Sequence, residues 1–379
     1  MSLGQLTTWA SSGVTGLLIG SVLGLTLSVI FEDRLKRSLA RTRRRLHAIR
    51  RGQRTGRSDF SFGGLSSSCL IVEGDGTFAI ADEAVYILVC QEPVSLPPEI
   101  RKWIPEIAAE QEIKRQAGLP HHFNGQVYAV ESLTSSRIPG TEEPEVHLRL
   151  RVSDYYSFLA TQDLDRRFPD GSTLRSRYID PVGPRAAPVF MSLSLGTSVV
   201  VVTKDDRILM CQRGESAGSR PLFWGVSADE GLSVSLDGAG QHAPRLYNVA
   251  RRGMIEELSV EDHEYRLTLL AFTIDTLQHQ WDSVFIAYLH ELDSHDLAER
   301  LDRGAKDHSE INAYEFVPFR VDAVLSALSS SPNGTPRNWT PIAGVAFYLA
   351  LIHDQGRASI ERQGRRFAKQ RRSRTLKHS

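Results

Sequence analysis

Arg252 and the adjacent pair Glu256-Glu257 are the residues of this chain whose types and spacing most directly suggest chemistry. They stand in the run Arg252-Gly253-Met254-Ile255-Glu256-Glu257-Leu258-Ser259-Val260. On a helix, residues four apart share a face, so Arg252 stacks over Glu256 and Gly253 over Glu257. A guanidinium can then hold a carboxylate by paired hydrogen bonds while both glutamates reach a common ion. Hard carboxylate oxygens suit Mg²⁺ or Mn²⁺, which would polarise a phosphoryl oxygen and activate an attacking water. An Arg/Glu helix face that is merely solvated has the same spacing, so the nonapeptide needs its context.

That context is a succession of elements. From Thr197 runs a β-branched stretch, followed by a Lys204-Asp205-Asp206 turn and a second apolar strand that ends in Gln212-Arg213. This reads as a hairpin. Phe223-Trp224-Gly225 leads into Ser227-Ala228-Asp229, then Glu230-Gly231, and a late strand is expected over Ser309 to Phe319. In this order the elements resemble the Nudix hydrolases, whose box is G-x5-E-x7-R-E-U-x-E-E-x-G-U, with U a bulky aliphatic. The resemblance covers about Ser194 to Ala350 and implies an α/β fold, a Nudix-type α/β/α sandwich. It also implies a metal-dependent hydrolase that cleaves a phosphoanhydride in a nucleoside diphosphate linked to another moiety. Glu256 and Glu257 would bind Mg²⁺ or Mn²⁺, Arg252 would orient them, and Glu230 or Glu310 would complete the shell.

Two consensus positions are changed: Gly253 replaces a glutamate and Ser259 replaces a glycine. The usual glycine turn after the tryptophan is also absent, and a polar, Gly-rich insertion from Ser233 to Ala243 lengthens the spacer before a helix that Pro244 could start. These departures leave a second reading open, an inactive nucleotide sensor or scaffold. Glu230, His242 and Glu310 all stand as candidates for the general base, and no spacing rule selects among them.

The chain is formally neutral, with 45 basic and 45 acidic residues, yet the charges are segregated. Residues 34–57 hold 11 basic groups and residues 357–379 hold nine, which leaves the body between them acidic. No charged residue occurs from Met1 to Phe31, and the apolar run 13–31 is long enough to span a bilayer. The basic flank then predicts a single-pass protein of the cell membrane, with the N-terminus outside and the folded part cytoplasmic. Gly16, Gly20 and Gly24 would share one helix face suited to self-association in lipid. The basic stretch lacks the interleaved aromatic residues that nucleic-acid stacking requires, so the lipid bilayer is its expected partner. Three cysteines without metal spacing suit a reducing compartment.

The expected organisation is a short outer segment 1–12, a transmembrane helix 13–31 and a basic linker 32–58. An α+β extension follows over 59–190, then the Nudix-like domain over 191–356 and a basic, disordered tail over 357–379. Within the extension, Phe123-Asn124-Gly125 and Tyr155 to Thr161 resemble the N-terminal part of atypical Nudix proteins that cleave UDP-sugars. That likeness implies that the extension helps to shape a substrate pocket.

Overall fold

The computed structural model describes residues 59–238, 243–304, 310–329 and 337–378. The expected membrane segment 13–31, its glycines Gly16, Gly20 and Gly24, and the linker 32–58 lie outside the described residues. Among the described residues no helix is long and apolar enough to cross a membrane.

In chain order the strands are β1 Phe60–Phe62, β2 Leu65–Ser67, β3 Cys69–Glu73, β4 Val85–Cys90, β5 Gln126–Arg137, β6 Pro144–Asp154, β7 Leu195–Val202 and β8 Arg207–Arg213, then β9 Trp224–Gly225, β10 Ala228–Gly231, β11 Tyr265–Asp275, β12 Gln280–Leu289 and β13 Ile311–Pro318. The main helices are α1 Ile104–Gln116, α2 Tyr155–Thr161, α3 Leu246–Leu258, α4 Ser294–Arg303, α5 Val321–Ser329, α6 Pro341–Gln355 and α7 Arg357–His378.

The central sheet has the order β13-β8-β7-β12-β11-β3, with β10 added to β7 and β9 to β8. Its middle strands are apolar on both faces. Along β7, Leu195, Val199 and Val201 enter one core, while Val200 and Val202 enter the other. Strict alternation between two buried faces is what a strand sandwiched between layers requires. One face is covered by α3, α4 and a small sheet of order β4-β6-β5. The other is covered by α5 and α6. The α/β/α layering expected from the sequence is therefore present. The strand β3, which precedes the extension sheet, pairs antiparallel with β11 and belongs to the central sheet.

The box helix α3 forms where the sequence places it. Leu246, Val249, Ala250, Gly253, Met254, Glu257 and Leu258 make its buried stripe at helical spacing. The helix starts at Leu246, two residues beyond Pro244. Ser259, in the place of the consensus glycine, caps it in the left-handed region at φ 55°. A Cβ is disfavoured there, so the chain accepts strain that glycine would not carry.

The segment 357–379, expected to be a disordered tail, is instead helical over Arg357–His378. Its charge pattern hides a packing seam. Ile360 is fully buried, Phe367 packs on the same core, and the Tyr348 hydroxyl donates to Glu361 at 2.6 Å. Gly364 lies against the Phe62 ring, where a Cβ would come within 2.5 Å of it. Ile360→Ala is therefore expected to cost about 2 kcal/mol, the low end for a buried aliphatic truncation. A urea midpoint unchanged by that substitution would show the segment to be free of the core.

Candidate active site

The carboxylates gather around the junction of α3 with β10. Glu257 sits on the buried stripe of α3, and its Oε1 accepts the Asp229 amide at 3.0 Å. Burial pushes its carboxyl well above the usual carboxylate range, and the charges of Glu310 and Asp229 push it further. Glu230, on β10, is also raised, by burial first, while Arg252 opposes the shift and the neighbouring Glu256 adds to it. The three glutamates named from the sequence thus share one electrostatic environment. Glu230 and Glu256 are half-buried, whereas Glu257 is buried.

Arg252 is placed differently from the expectation. Its Nη1 donates to Asp237 at 2.7 Å, while Nη2 lies 3.3 Å from Glu230 and donates to the Gly231 carbonyl at 2.9 Å. The guanidinium reaches off its own helix and fastens β10 and the following turn to α3. Asp237, which comes from the insertion, is almost fully buried in this pair. Arg252→Ala would leave both acids without their fork, at an expected cost of about 2 kcal/mol after allowing for partial exposure. Arg252→Lys should recover only part of that in a denaturation curve, because a point charge cannot bridge two partners in fixed geometry.

Gly253 stands where the box that this segment resembles has a glutamate. A Cβ built there would stand 3.2 Å from the Glu230 Cβ and 3.5 Å from Glu257 Oε1. Glu230 occupies from the strand the neighbourhood that the consensus glutamate would enter from the helix.

Beside these acids opens a cavity of about 170 Å³ lined by Arg213, Arg220, Asp229, Glu230, Asp282 and Tyr155, among others. Asp229 is ion-paired with Arg213, and Asp275 with Arg220. Tyr155 and Phe158, both on α2, bring the extension into the cavity wall. His242 lies outside the described residues.

Sequence reasoning missed Asp229, Asp237, Arg213 and Asp282. Asp282 had a signal: a carboxylate inside a mainly apolar strand, Trp281 to Leu289, is costly unless it has a use. Asp237 had none, since it stands in a Gly-rich insertion with no periodic pattern.

A hard divalent cation suits this donor set. The buried Glu257 has an amide for a partner and carboxylates for neighbours, and bringing such oxygens together is relieved by positive charge. Glu257, Glu256 and Glu230 are the residues that would hold it. The ligand atoms of Glu257, Glu256 and Glu230 do not converge to within 4.8 Å; among the described residues the trio whose ligand atoms do is His263, Glu264 and Glu291. There, Glu264 already receives both terminal nitrogens of Arg300 at 2.6 and 2.7 Å, which hold its carboxyl below the usual range.

No protein-family model matches this chain, and no curated protein does. Among solved structures it is similar to the DR0079 protein of Deinococcus radiodurans, at 13% identity and a TM-score of 0.29, over 41% of this chain and 81% of that one. It is also similar to a MutT NUDIX hydrolase from Burkholderia pseudomallei, at 18% identity and a TM-score of 0.26, over 41% of this chain and 95% of that one. What the site can do follows from its own residues.

Proposed function

We propose that the cleft hydrolyses a phosphoanhydride bond in a nucleoside diphosphate linked to another moiety, with Mg²⁺ or Mn²⁺ held by Glu256, Glu257 and Glu230. The observation that carries this reading is the buried Glu257, packed among acids and bonded to the amide of Asp229, which lines the cavity with Glu230, Arg213 and Arg220. A bound cation would supply the charge that polarises a phosphoryl oxygen. The protein's part is positional. Arg252 locks β10 against α3, and so fixes Glu230 relative to Glu257. Arg213 and Arg220 line the cleft, each paired with an aspartate, Asp229 and Asp275.

Gly253 supports a second reading, in which the same pocket binds a nucleotide without turnover. The packing around Gly253 excludes the consensus glutamate, so the coordination shell differs from the family's. Anchoring to the cell membrane through 13–31, with the N-terminus outside and the cleft cytoplasmic, is part of the proposal. It is supported by the uncharged run and its basic flank, as is pairing through Gly16, Gly20 and Gly24.

The test uses the full chain in detergent micelles with Mg²⁺ or Mn²⁺. Nucleoside-diphosphate sugars, dinucleotides and nucleoside triphosphates are screened for phosphate-bond cleavage, beside a Glu256→Ala/Glu257→Ala control. Metal-dependent turnover lost in the control is the expected result. A nucleotide that raises the melting temperature without being cleaved would favour the sensor.

A further inference from the structure

The helix α7 carries on its outer side an array of charge that the cleft does not use. Its inner side is fixed. Ile360, Gly364 and Phe367, at i, i+4 and i+7, form the seam that packs on the core. Arg357 pairs with Asp75 at 3.0 Å, and Arg371 Nη1 donates to the Ser329 hydroxyl at 3.2 Å. Opposite the seam, Arg362, Arg365, Arg366 and Lys369 recur at i, i+3, i+4 and i+7, and all four are exposed. Residues so spaced are neighbours on one helix face. The single acid of residues 357–379, Glu361, lies 3.8 Å from Arg365 and accepts the Tyr348 hydroxyl. Among the described residues no acid pairs with Arg362, Arg366 or Lys369.

Like charges three and four residues apart repel, and a helix that merely faces water gains by interleaving acids among them. This one does not. Holding the cations together on a fixed helix is unfavourable unless a surface of opposite charge meets them. The body cannot be that surface for a second copy's sake alone, since its own acids are spread over a far larger area: residues 58–356 hold 42 acidic groups against 25 basic. An acidic body is instead repelled by an extended anionic surface, and only its basic face can approach one. Two details favour lipid over nucleic acid. Phe367 is turned into the core, so the face offers no ring on which a base could stack. The chain also carries the uncharged run 13–31, long enough to span a bilayer. Between Arg362 and Ser373 no apolar residue is exposed, so the contact would be made with headgroups and not by insertion.

We infer that the face of α7 formed by Arg362, Arg365, Arg366 and Lys369 is a contact surface for anionic lipid headgroups. Each basic residue near an anionic membrane strengthens binding about fivefold. Four of them on two turns of one helix, set on a body that the same membrane repels, select which side of the protein meets the lipid. The inner seam keeps the array in place, so the contact requires no folding of the segment.

The test uses the full chain, moved from detergent into vesicles of phosphatidylcholine, alone or with about one third phosphatidylserine, and floated on a density gradient. A spin label at Gln370→Cys, in a Cys90→Ser background, reports how far α7 is open to a water-soluble relaxation agent. Cys69 and Cys211 are buried and stay unlabelled. At about 0.1 M salt the label should be about threefold less accessible in the anionic vesicles than in the neutral ones, and the difference should vanish near 1 M. Replacing Arg362, Arg365, Arg366 and Lys369 together by glutamine should abolish it. Arg366→Gln/Lys369→Gln, which keeps Arg365 beside Glu361, should remove most of it and serves if the fourfold variant fails to fold. Equal accessibility in the two vesicle types would overturn the inference. So would shielding that the glutamines leave intact, or a chain that floats with neither. Binding of a labelled single-stranded RNA that the glutamines abolish, without any response to lipid, would give the face to nucleic acid and overturn it too. Flotation confined to anionic vesicles, with the label shielded there, would uphold the face and remove the anchor at 13–31, so the two fail separately.

Discussion

Glu257→Gln is expected to abolish turnover and at the same time make the protein more stable. The substitution keeps the Oε1 that accepts the Asp229 amide, so the packing of α3 on β10 survives. What it removes is a carboxyl that burial, Glu310 and Asp229 hold well above its ordinary value of 4.5. Such a group binds its proton more tightly folded than unfolded. Its contribution to stability is therefore fully present below the ordinary value and is lost as pH rises through the raised one. Above that window the wild type carries either a desolvated anion or an unfavourable protonation, and the glutamine carries neither. The gain in melting temperature should appear at pH 8 and vanish at pH 4. Turnover should fall by about 10³-fold, or ~4 kcal/mol in the barrier, as the loss of a cation ligand demands. Mg²⁺ or Mn²⁺ should raise the melting temperature of the wild type at pH 8 more than at pH 5, and that of the variant little at either. A variant less stable than wild type at pH 8, or one within tenfold of its turnover, would remove Glu257 from the centre of the site.

Much of this arrangement is legible in the sequence because it follows from periodicity. The doubly buried β7, the turn before β8 and the stripe of α3 are read from residue types alone. Glu257, in step with Leu246, Val249, Ala250 and Met254, is the buried member of its pair. Long-range partnership is not periodic, and there the reading stops. Helical spacing offers Arg252 a carboxylate on its own helix, but the side chain turns to β10 and to Asp237 in the insertion. Charge misleads in α7. Nine basic residues in the last 23 suggest solvent, whereas Ile360, Gly364 and Phe367 recur at packing distance along one face. The end of the cavity at Asp282 is assembled from β11, β12 and α6, which no local pattern could bring together.

Restoring the consensus glutamate by Gly253→Glu alone is expected to destabilise the protein by about 4 kcal/mol and to add no activity. Gly253 is buried against β10, and its new Cβ would press on the Glu230 Cβ at 3.2 Å. Overpacking of that kind costs about 1–3 kcal/mol. The rest of the side chain must then carry a further carboxylate into a space already shared by Glu230 and Glu257, which adds a desolvation penalty. If Glu230 is the strand's substitute for the missing ligand, the two changes must be coupled. Gly253→Glu combined with Glu230→Gly moves one carboxylate from β10 to α3 without adding charge and removes the clashing Cβ. The double variant should be more stable than Gly253→Glu by about 2 kcal/mol, although Glu230→Gly by itself loses the Arg252 pair and weakens the strand. Arg252 would keep Asp237 throughout. Urea midpoints and turnover for the four proteins of the cycle measure the coupling. Additive stabilities, or a Gly253→Glu variant as stable as wild type and more active, would mean that the space beside Gly253 is open and that Glu230 does not stand in for the box residue.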